Sequence, residues 1–233
     1  MPSQSRLPFN ASRLSTPTVE SVAWVDVMGI QSALARSVKV AANFVYKLHH
    51  AALTVPNDLV RLYPVMDGFY ATSEFAQALA RFLAGVFELA AREFIDESNP
   101  SFRFLIRGAV AKGNIYHGYR LSAQASWTLA QHQAHRDMIV LGTPIVDAHL
   151  GEREAPPFGI FADRTADDFE RAGYPFDAWW PWYRLSSDST LAARLADNLE
   201  EYYEWAGSSD ESGYDESRIR IHRGFASLYF RDG

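Results

Sequence analysis

The apolar positions fall into runs and stripes that alternate between strand and helix. From Val22 to Met28 the chain is apolar except at Asp26, which reads as a buried strand carrying one carboxylate. Gly29 then permits a sharp turn, and Leu34, Val38, Ala41, Val45 and Leu48 recur at steps of four and three, predicting a helix from about Gln31 to Ala51. His49 and His50 sit at its end, where histidines commonly face the helix dipole. Leu59–Met66 and Phe69–Thr72 read as two strands turning at Asp67-Gly68, a strong hairpin signal. With Thr72 or Ser73 as N-cap, Phe75, Leu79, Phe82, Val86 and Leu89 mark the next helix, which ends before Asn99-Pro100. A strand follows from Phe102 to Val110, then the small-residue run to Asn114.

Beyond this the signals shorten. Ser122–His135 reads as helix, with His132 and His135 on one face; no third ligand lies nearby, so a solvated face is the preferred reading. Met138–Gly142 is a short strand, Thr143–Glu154 a short helix, and Phe158–Ala162 another strand after Pro156-Pro157. Trp179–Leu185 is expected as the last core strand, and Leu191, Leu195, Leu199 and Tyr202 mark a helix. Residues 207–217 are acidic and rich in Ser and Gly, which predicts mobility. The stretch 218–232 alternates polar and apolar residues and is expected to add a strand or dock on a partner. The order β-α-β-β-α-β, followed by mixed elements, predicts an α/β (α+β) sandwich of ferredoxin-like type. Residues 1–20, rich in Pro, Ser and Thr, read as an arm; 21–185 as the core domain; 186–233 as a helix and an acidic, aromatic tail.

Two carboxylates stand at the ends of apolar strands. Burying even a neutral polar group without a partner costs roughly 2–7 kcal/mol, and a charge costs more, so Asp26 should have a partner. A divalent cation is one candidate, and a strand ending in Asp, a Gly turn and a helix N-terminus suit a metal-bound polyphosphate. The other reading is a strand-end Asp that caps the next helix. Asp67 likewise fits plain turn chemistry, or a second carboxylate that shares metal ions with Asp26.

Composition narrows the field. The 233 residues carry a formal net charge of -6, which argues against a general binder of nucleic acid or of membrane surfaces. No apolar run approaches a membrane span, and the first residues lack a signal-peptide apolar region. Cysteine is absent, which excludes disulfides, thiolate catalysis and Cys-ligated metals, and fits a cytoplasmic location.

Four motifs in order resemble those of the class III nucleotidyl cyclases. They are the strand with Asp26-x-x-Gly29, the Met66-Asp67-Gly68-Phe69 hairpin, the strand Arg107-Gly-Ala-Val-Ala-Lys-Gly-Asn114, and Gly142-Thr-Pro-Ile-Val-Asp-Ala-His-Leu-Gly-Glu152. The resemblance covers roughly residues 20–185. It implies the class III adenylate/guanylate cyclase-type fold and a homodimer with two sites at its interface. Asp26 and Asp67 would be the catalytic carboxylates, holding two divalent ions (Mn²⁺ or Mg²⁺) with help from the Val27 carbonyl. Backbone N–H groups of Met28, Gly29, Ile30 and Gln31 would hold the triphosphate.

The departures from that pattern sharpen the expectation. Tyr63 stands where the family has its adenine-selecting Lys, and Ile139 where it has the partner Asp. Val146 and Leu150 stand where it has a transition-state Asn and Arg, leaving Arg107, Lys112 or Arg153 to serve instead. In this respect the chain is similar to the pyrimidine cyclases of Pycsar anti-phage systems. The resemblance implies conversion of UTP to 3′,5′-cyclic UMP and diphosphate, or of CTP to cyclic CMP, with the product read by a separate effector protein. Tyr63 and Arg107 would join the nucleotide-binding set, although Tyr63 equally suits an aromatic strand residue. A palm-type polymerase or diguanylate-cyclase relative is the second class; the chain lacks the Gly-Gly-Asp/Glu-Glu/Phe hairpin of the latter. A cyclase-like binding module without catalysis is the third.

Overall fold

The computed structural model describes residues 9–170, 178–209, 212 and 214–230. Its elements in chain order are β1 (Thr18–Met28), α1 (Ile30–Arg36), α2 (Val38–Thr54), β2 (Arg61–Val65), β3 (Gly68–Ser73), α3 (Ala76–Asp96) and β4 (Leu105–His117). There follow α4 (Trp127–Gln131), α5 (Gln133–Asp137), β5 (Val140–Leu141), α6 (Thr143–Gly151), β6 (Ile160–Ala162), β7 (Trp179–Trp180), α7 (Leu191–Ser208) and α8 (Glu216–Tyr229). The sheet runs in the order β2-β3-β1-β4-β6-β7, with β5 pairing β4 off this path. The expected β-α-β-β-α-β order is present, and β1 lies at its centre, antiparallel to both β3 and β4.

Period-two alternation explains how β1 divides the molecule. Ala23, Val25 and Val27 point into the main core, where Phe44, Leu48, Phe82, Val86, Phe87 and Phe94 from α2 and α3 meet Leu195 and Leu199 of α7. Val22 and Trp24 point to the opposite face, into a small cluster with Ala111, Ile115 and Ala148 of α6. Asp26 continues that second, thinly covered face.

Several elements differ from expectation, each for a local reason. The first strand begins at Thr18, because Thr18–Glu20 pair with Gly113–Ile115, so the arm is shorter than residues 1–20. The single expected helix is broken at Ser37, whose extended backbone (φ -161°, ψ 120°) ends α1 and whose hydroxyl caps α2 through the Val40 N–H. The break leaves Leu34 and Val38 exposed, and the buried stripe of α2 is Ala41, Phe44, Leu48, Ala51 and Ala52. The hairpin turns at Met66-Asp67, one residue earlier than expected, with Gly68 paired to Val65. Gly68 belongs to the strand for a steric reason: a Cβ there would lie 2.3 Å from the Val25 carbonyl oxygen and 2.8 Å from the Trp24 ring.

Neither Thr72 nor Ser73 is the N-cap of α3: that position is Phe75, without a side-chain cap, and the Ser73 hydroxyl instead accepts from the Phe75 N–H at 3.0 Å in the turn before the helix. β4 continues through the small-residue run to His117 as one strand, starting at Leu105 after a 3-10 turn at Phe102. The expected helix over Ser122–His135 is two short pieces around His132, and His132 and His135 are both exposed. Trp179–Leu185 is a strand only at Trp179-Trp180; the rest is a 3-10 turn that drops Trp182 into the core.

The last segment departs furthest. Arg218–Asp232, expected as strand or docking tail, is helix α8 through Tyr229, capped by Asp215 and packed on α7. The expected mobile stretch 207–217 begins inside α7 and ends inside α8. Its Ser212 is buried, and its hydroxyl donates to the Ala206 carbonyl at 2.7 Å. Residues 210, 211 and 213 of that stretch lie outside the described set.

Candidate active site

β1 delivers Asp26 to the edge of the second face, between Gly68 of β3 and Arg107 of β4 in the pairing registers. The hairpin tip brings the second carboxylate: the Val27 N–H donates to the Asp67 carbonyl at 3.4 Å, stitching the turn to the end of β1. His49 of α2 hydrogen-bonds the Met66 backbone and braces the same turn. Asp26 and Asp67 are therefore brought together, as the sequence predicts.

A third acid joins them that the sequence reading did not single out. Gly151 packs under Phe161 and Ala109, and the chain leaves α6 there with the Glu152 side chain buried. Glu152 takes an ion pair from Arg107 Nε, which fixes the guanidinium across the strand from Asp26. Its only sequence signal is its place at the end of the fourth motif. Of the three cations offered as substitutes, Arg107 lies at Asp26, Lys112 is held by Asp167 and Asp168, and Arg153 is exposed.

The electrostatics follow from that grouping. Burial first, then the charges of Asp67 and Glu152, push the Asp26 carboxyl up to about 7, against the opposing pull of Arg107. Asp26 Oδ1 is buried and has no hydrogen-bond partner among the described residues. An orphaned carboxylate oxygen beside a second carboxylate fits a hard divalent cation, which takes oxygen ligands. Among the described residues no three acidic or histidine side chains are grouped to hold a metal alone. The remaining ligands would thus come from backbone oxygen such as that of Val27, from substrate or from water.

The turn after β1 is shaped as expected, with Gly29 at φ 73°, a conformation that a Cβ disfavours. Met28, Gly29, Ser32 and Ala33 face Tyr202, Trp205, Ser212 and Tyr214 across a cavity of about 20 Å³. The segment beyond residue 186 thus forms a wall of this corner. Tyr214 and His222 join at 2.7 Å between the phenol oxygen and Nδ1. Burial, then the charges of Arg107 and Arg218, lowers the His222 pKa to about 4, so the ring is neutral at pH 7.

Tyr63 lies elsewhere. Its side chain is 1% exposed, and its hydroxyl meets His117 Nδ1 at 2.5 Å while His117 Nε2 meets Glu20 at 2.6 Å. Burial works against the Glu20 charge, but hydrogen bonds to His117 and Thr18 outweigh it and lower its pKa. Glu20 and His117, with Arg61, Thr72 and Tyr119, line a cavity of about 470 Å³. Glu20 and Asp26 are separated along β1 by about 20 Å at strand rise. The Tyr63 backbone pairs at the level of Trp24, two residues from Asp26, but its hydroxyl is held by His117 toward the Glu20 end of β1 and turns away from Asp26. Ile139, Val146 and Leu150 are exposed around β5 and α6.

No family model matches the chain, and no curated protein does. Solved structures do. The monomeric guanylyl cyclase domain of the RhoGC fusion protein from the fungus Blastocladiella emersonii (E497/C566D double mutant) superposes with a TM-score of 0.54 at 12% identity, covering 72% of this chain and 96% of that one. A bacterial light-regulated adenylyl cyclase gives 0.54 at 9% identity, over 79% of this chain and 100% of that one. The guanylate cyclase domain of RhGC from Catenaria anguillulae, in complex with GTP, gives 0.50 at 12% identity, over 66% and 82%. Order of elements, sheet topology and these superpositions agree: the chain has the fold of a class III adenylate/guanylate cyclase domain.

Proposed function

We propose that this chain is a nucleotidyl cyclase acting on a pyrimidine nucleoside triphosphate, UTP before CTP, releasing the 3′,5′-cyclic monophosphate and diphosphate. The observation that carries the reading is Asp26 Oδ1, buried and without a hydrogen-bond partner among the described residues, beside a second carboxylate at the mouth of a glycine turn. Asp26 and Asp67 would hold two divalent ions, which when bound supply charge neutralisation and an acidified 3′-hydroxyl. The 3′-hydroxyl gives its proton to solvent water, its oxygen attacks the α-phosphorus, the bond to the bridging α–β oxygen breaks, and diphosphate leaves with that electron pair. Arg107, held by Glu152, stands ready for the negative charge developing on the phosphates. Backbone N–H groups from Met28 to Gln31 would orient the polyphosphate.

The homodimer reading is supported by exposed apolar side chains around one end of the sheet: Tyr116, Ile139, Leu141, Val146 and Leu150. A pyrimidine is supported by the absence of a Lys–Asp pair at Tyr63 and Ile139. The lean to UTP rests on the carboxylates beside Tyr63 and Ile139 being engaged rather than free to accept from a cytosine amine: Glu20 is held by His117 at 2.6 Å. Asp137, two residues before Ile139, is engaged by Arg136 at 2.8 Å. The product would then be a second messenger in anti-phage defence, in line with the resemblance to Pycsar cyclases. Apolar, exposed Val146 and Leu150 at the transition-state positions favour a second reading, a nucleotide-binding module without turnover.

The test is incubation with an equimolar mixture of the four NTPs and Mn²⁺, with diphosphate release and product mass measured. Cyclic UMP is expected, and Asp67→Ala should lose it while remaining folded. Nucleotide binding without diphosphate would establish the module instead, and a cyclic purine nucleotide would overturn the pyrimidine assignment.

A further inference from the structure

On the reading that the chain takes a pyrimidine nucleotide, we infer that Arg61 and Thr72 are the residues that select uracil over cytosine. They stand opposite each other on β2 and β3, and both line the cavity of about 470 Å³. Arg61 comes two residues before Tyr63 on the edge strand, so the two side chains share one face of the sheet. Across the cavity, His117 leads into Gly118, whose N–H donates to the Ile139 carbonyl at 2.8 Å. Tyr63 and Ile139, the two positions assigned to the base, therefore both border this cavity.

Most polar groups of its wall are already taken. Glu20 Oε1 accepts from the Thr18 hydroxyl at 2.6 Å and meets His117 Nε2 at 2.6 Å, while His117 Nδ1 meets the Tyr63 hydroxyl. Glu74 is paired with Arg120 at 3.0 Å, and the Ser73 hydroxyl lies between the Leu59 carbonyl and the Phe75 N–H. Asp58 is exposed in the turn before β2. Arg61 and Thr72 differ from these. The Arg61 guanidinium lies over the Tyr119 ring at 4.0 Å and makes no ion pair among the described residues. Thr72 is 1% exposed, and its Oγ1 has no hydrogen-bond partner among the described residues.

Their chemistry names the base. A guanidinium only donates. The Thr72 hydroxyl bears on the Glu20 carboxylate and helps lower its pKa, which draws the hydroxyl proton that way and leaves the oxygen lone pairs for a ligand N–H. A donor beside an acceptor matches O4 and N3–H of uracil. Cytosine presents the reverse, an N4 amine beside a bare N3, so its amine would face the guanidinium with no acceptor between them. The wrong base also leaves the Thr72 hydroxyl unpaired, which discriminates more strongly than shape. Guanine repeats the uracil edge in O6 and N1–H, so the edge selects a keto base and the pyrimidine reading selects the ring.

The test uses the full chain with UMP, CMP and GMP, which have no diphosphate to lose, so base recognition is read apart from turnover. By calorimetry UMP should bind about tenfold tighter than CMP or GMP. Arg61→Gln, whose amide can accept as well as donate, should bring the UMP-to-CMP ratio close to one. Arg61→Glu should invert it, because a carboxylate accepts from the cytosine amine. Thr72→Val keeps the β-branched shape and should weaken UMP about fivefold, the scale of one neutral hydrogen bond, with most of the loss restored in Thr72→Ser. Equal wild-type affinity for UMP and CMP, or unchanged affinities in these variants, would overturn the inference and leave the cyclase reading standing. GMP binding as tightly as UMP would overturn it together with the pyrimidine assignment. If no monophosphate binds to a protein that releases diphosphate from NTPs, the inference alone falls; without that release, both fall.

Discussion

Asp26 concentrates the cost of the site in one side chain. Its folded-state pKa of about 7 stands above the ordinary value of 3.8. Between those pH values the folded chain binds more protons than the unfolded one, so stability falls as pH rises from about 4 to 7 and stays low above. Asp26→Asn removes that slope. In EDTA, the melting temperature of the wild-type protein should drop relative to Asp26→Asn by a few degrees across this window. Parallel curves would show that the carboxyl titrates normally. Adding Mn²⁺ at pH 7.5 should recover the wild-type stability and leave Asp26→Asn unmoved, because the cation takes the place of the missing partner.

At the scale of elements, the β2–β3 hairpin places Asp67 and therefore carries the second half of the carboxylate pair. Its strand begins with Gly68 under the Val25 carbonyl, where a methyl group has no space. Gly68→Ala should cost about 2 kcal/mol or more in urea unfolding and lower activity beyond what the stability loss explains, since the shifted strand moves Asp67. Gly29→Ala is a milder case. Its nearest neighbour, the Tyr214 ring, leaves space, so the cost is the left-handed backbone alone, about 1–2 kcal/mol. A Gly68→Ala protein as stable and active as wild type would mean that the hairpin does not set the Asp67 position.

For the whole molecule, the separation of the Tyr63–His117–Glu20 group from the Asp26 corner has a consequence. If the base is read by residues around Tyr63 and Ile139, the reader and the metal carboxylates must come from different chains. Leu150→Glu on the exposed face of α6 should then give a folded monomer in sedimentation velocity runs, with diphosphate release down at least tenfold. A fully active Leu150→Glu monomer would refute the interface.

The sequence by itself determined the strand-carboxylate pattern, the β-α-β-β-α-β order, the stripe of α7, and the middle of the α3 stripe at Leu79, Phe82 and Val86, whereas Phe75 and Leu89 at its two ends are exposed. These are read from side-chain periodicity within a dozen residues, and the pairs Asp26–Gly29 and Asp67–Gly68 are short enough to be legible in the same way. Local signals failed where context outweighed them. Ser37 looked like a polar position on one helix and is a cap between two; residues 218–229 alternate like a strand and form a helix because Asp215 caps them and α7 covers them. What only the tertiary structure decided is which distant residues meet. Glu152 reaches Arg107 across an ion pair 45 positions away, and Tyr214 comes to a turn nearly two hundred residues earlier in the chain. No periodicity encodes such meetings: they follow from β1 running through the centre of the sheet, so that elements from opposite ends of the chain close on its last residues, Asp26 to Gly29.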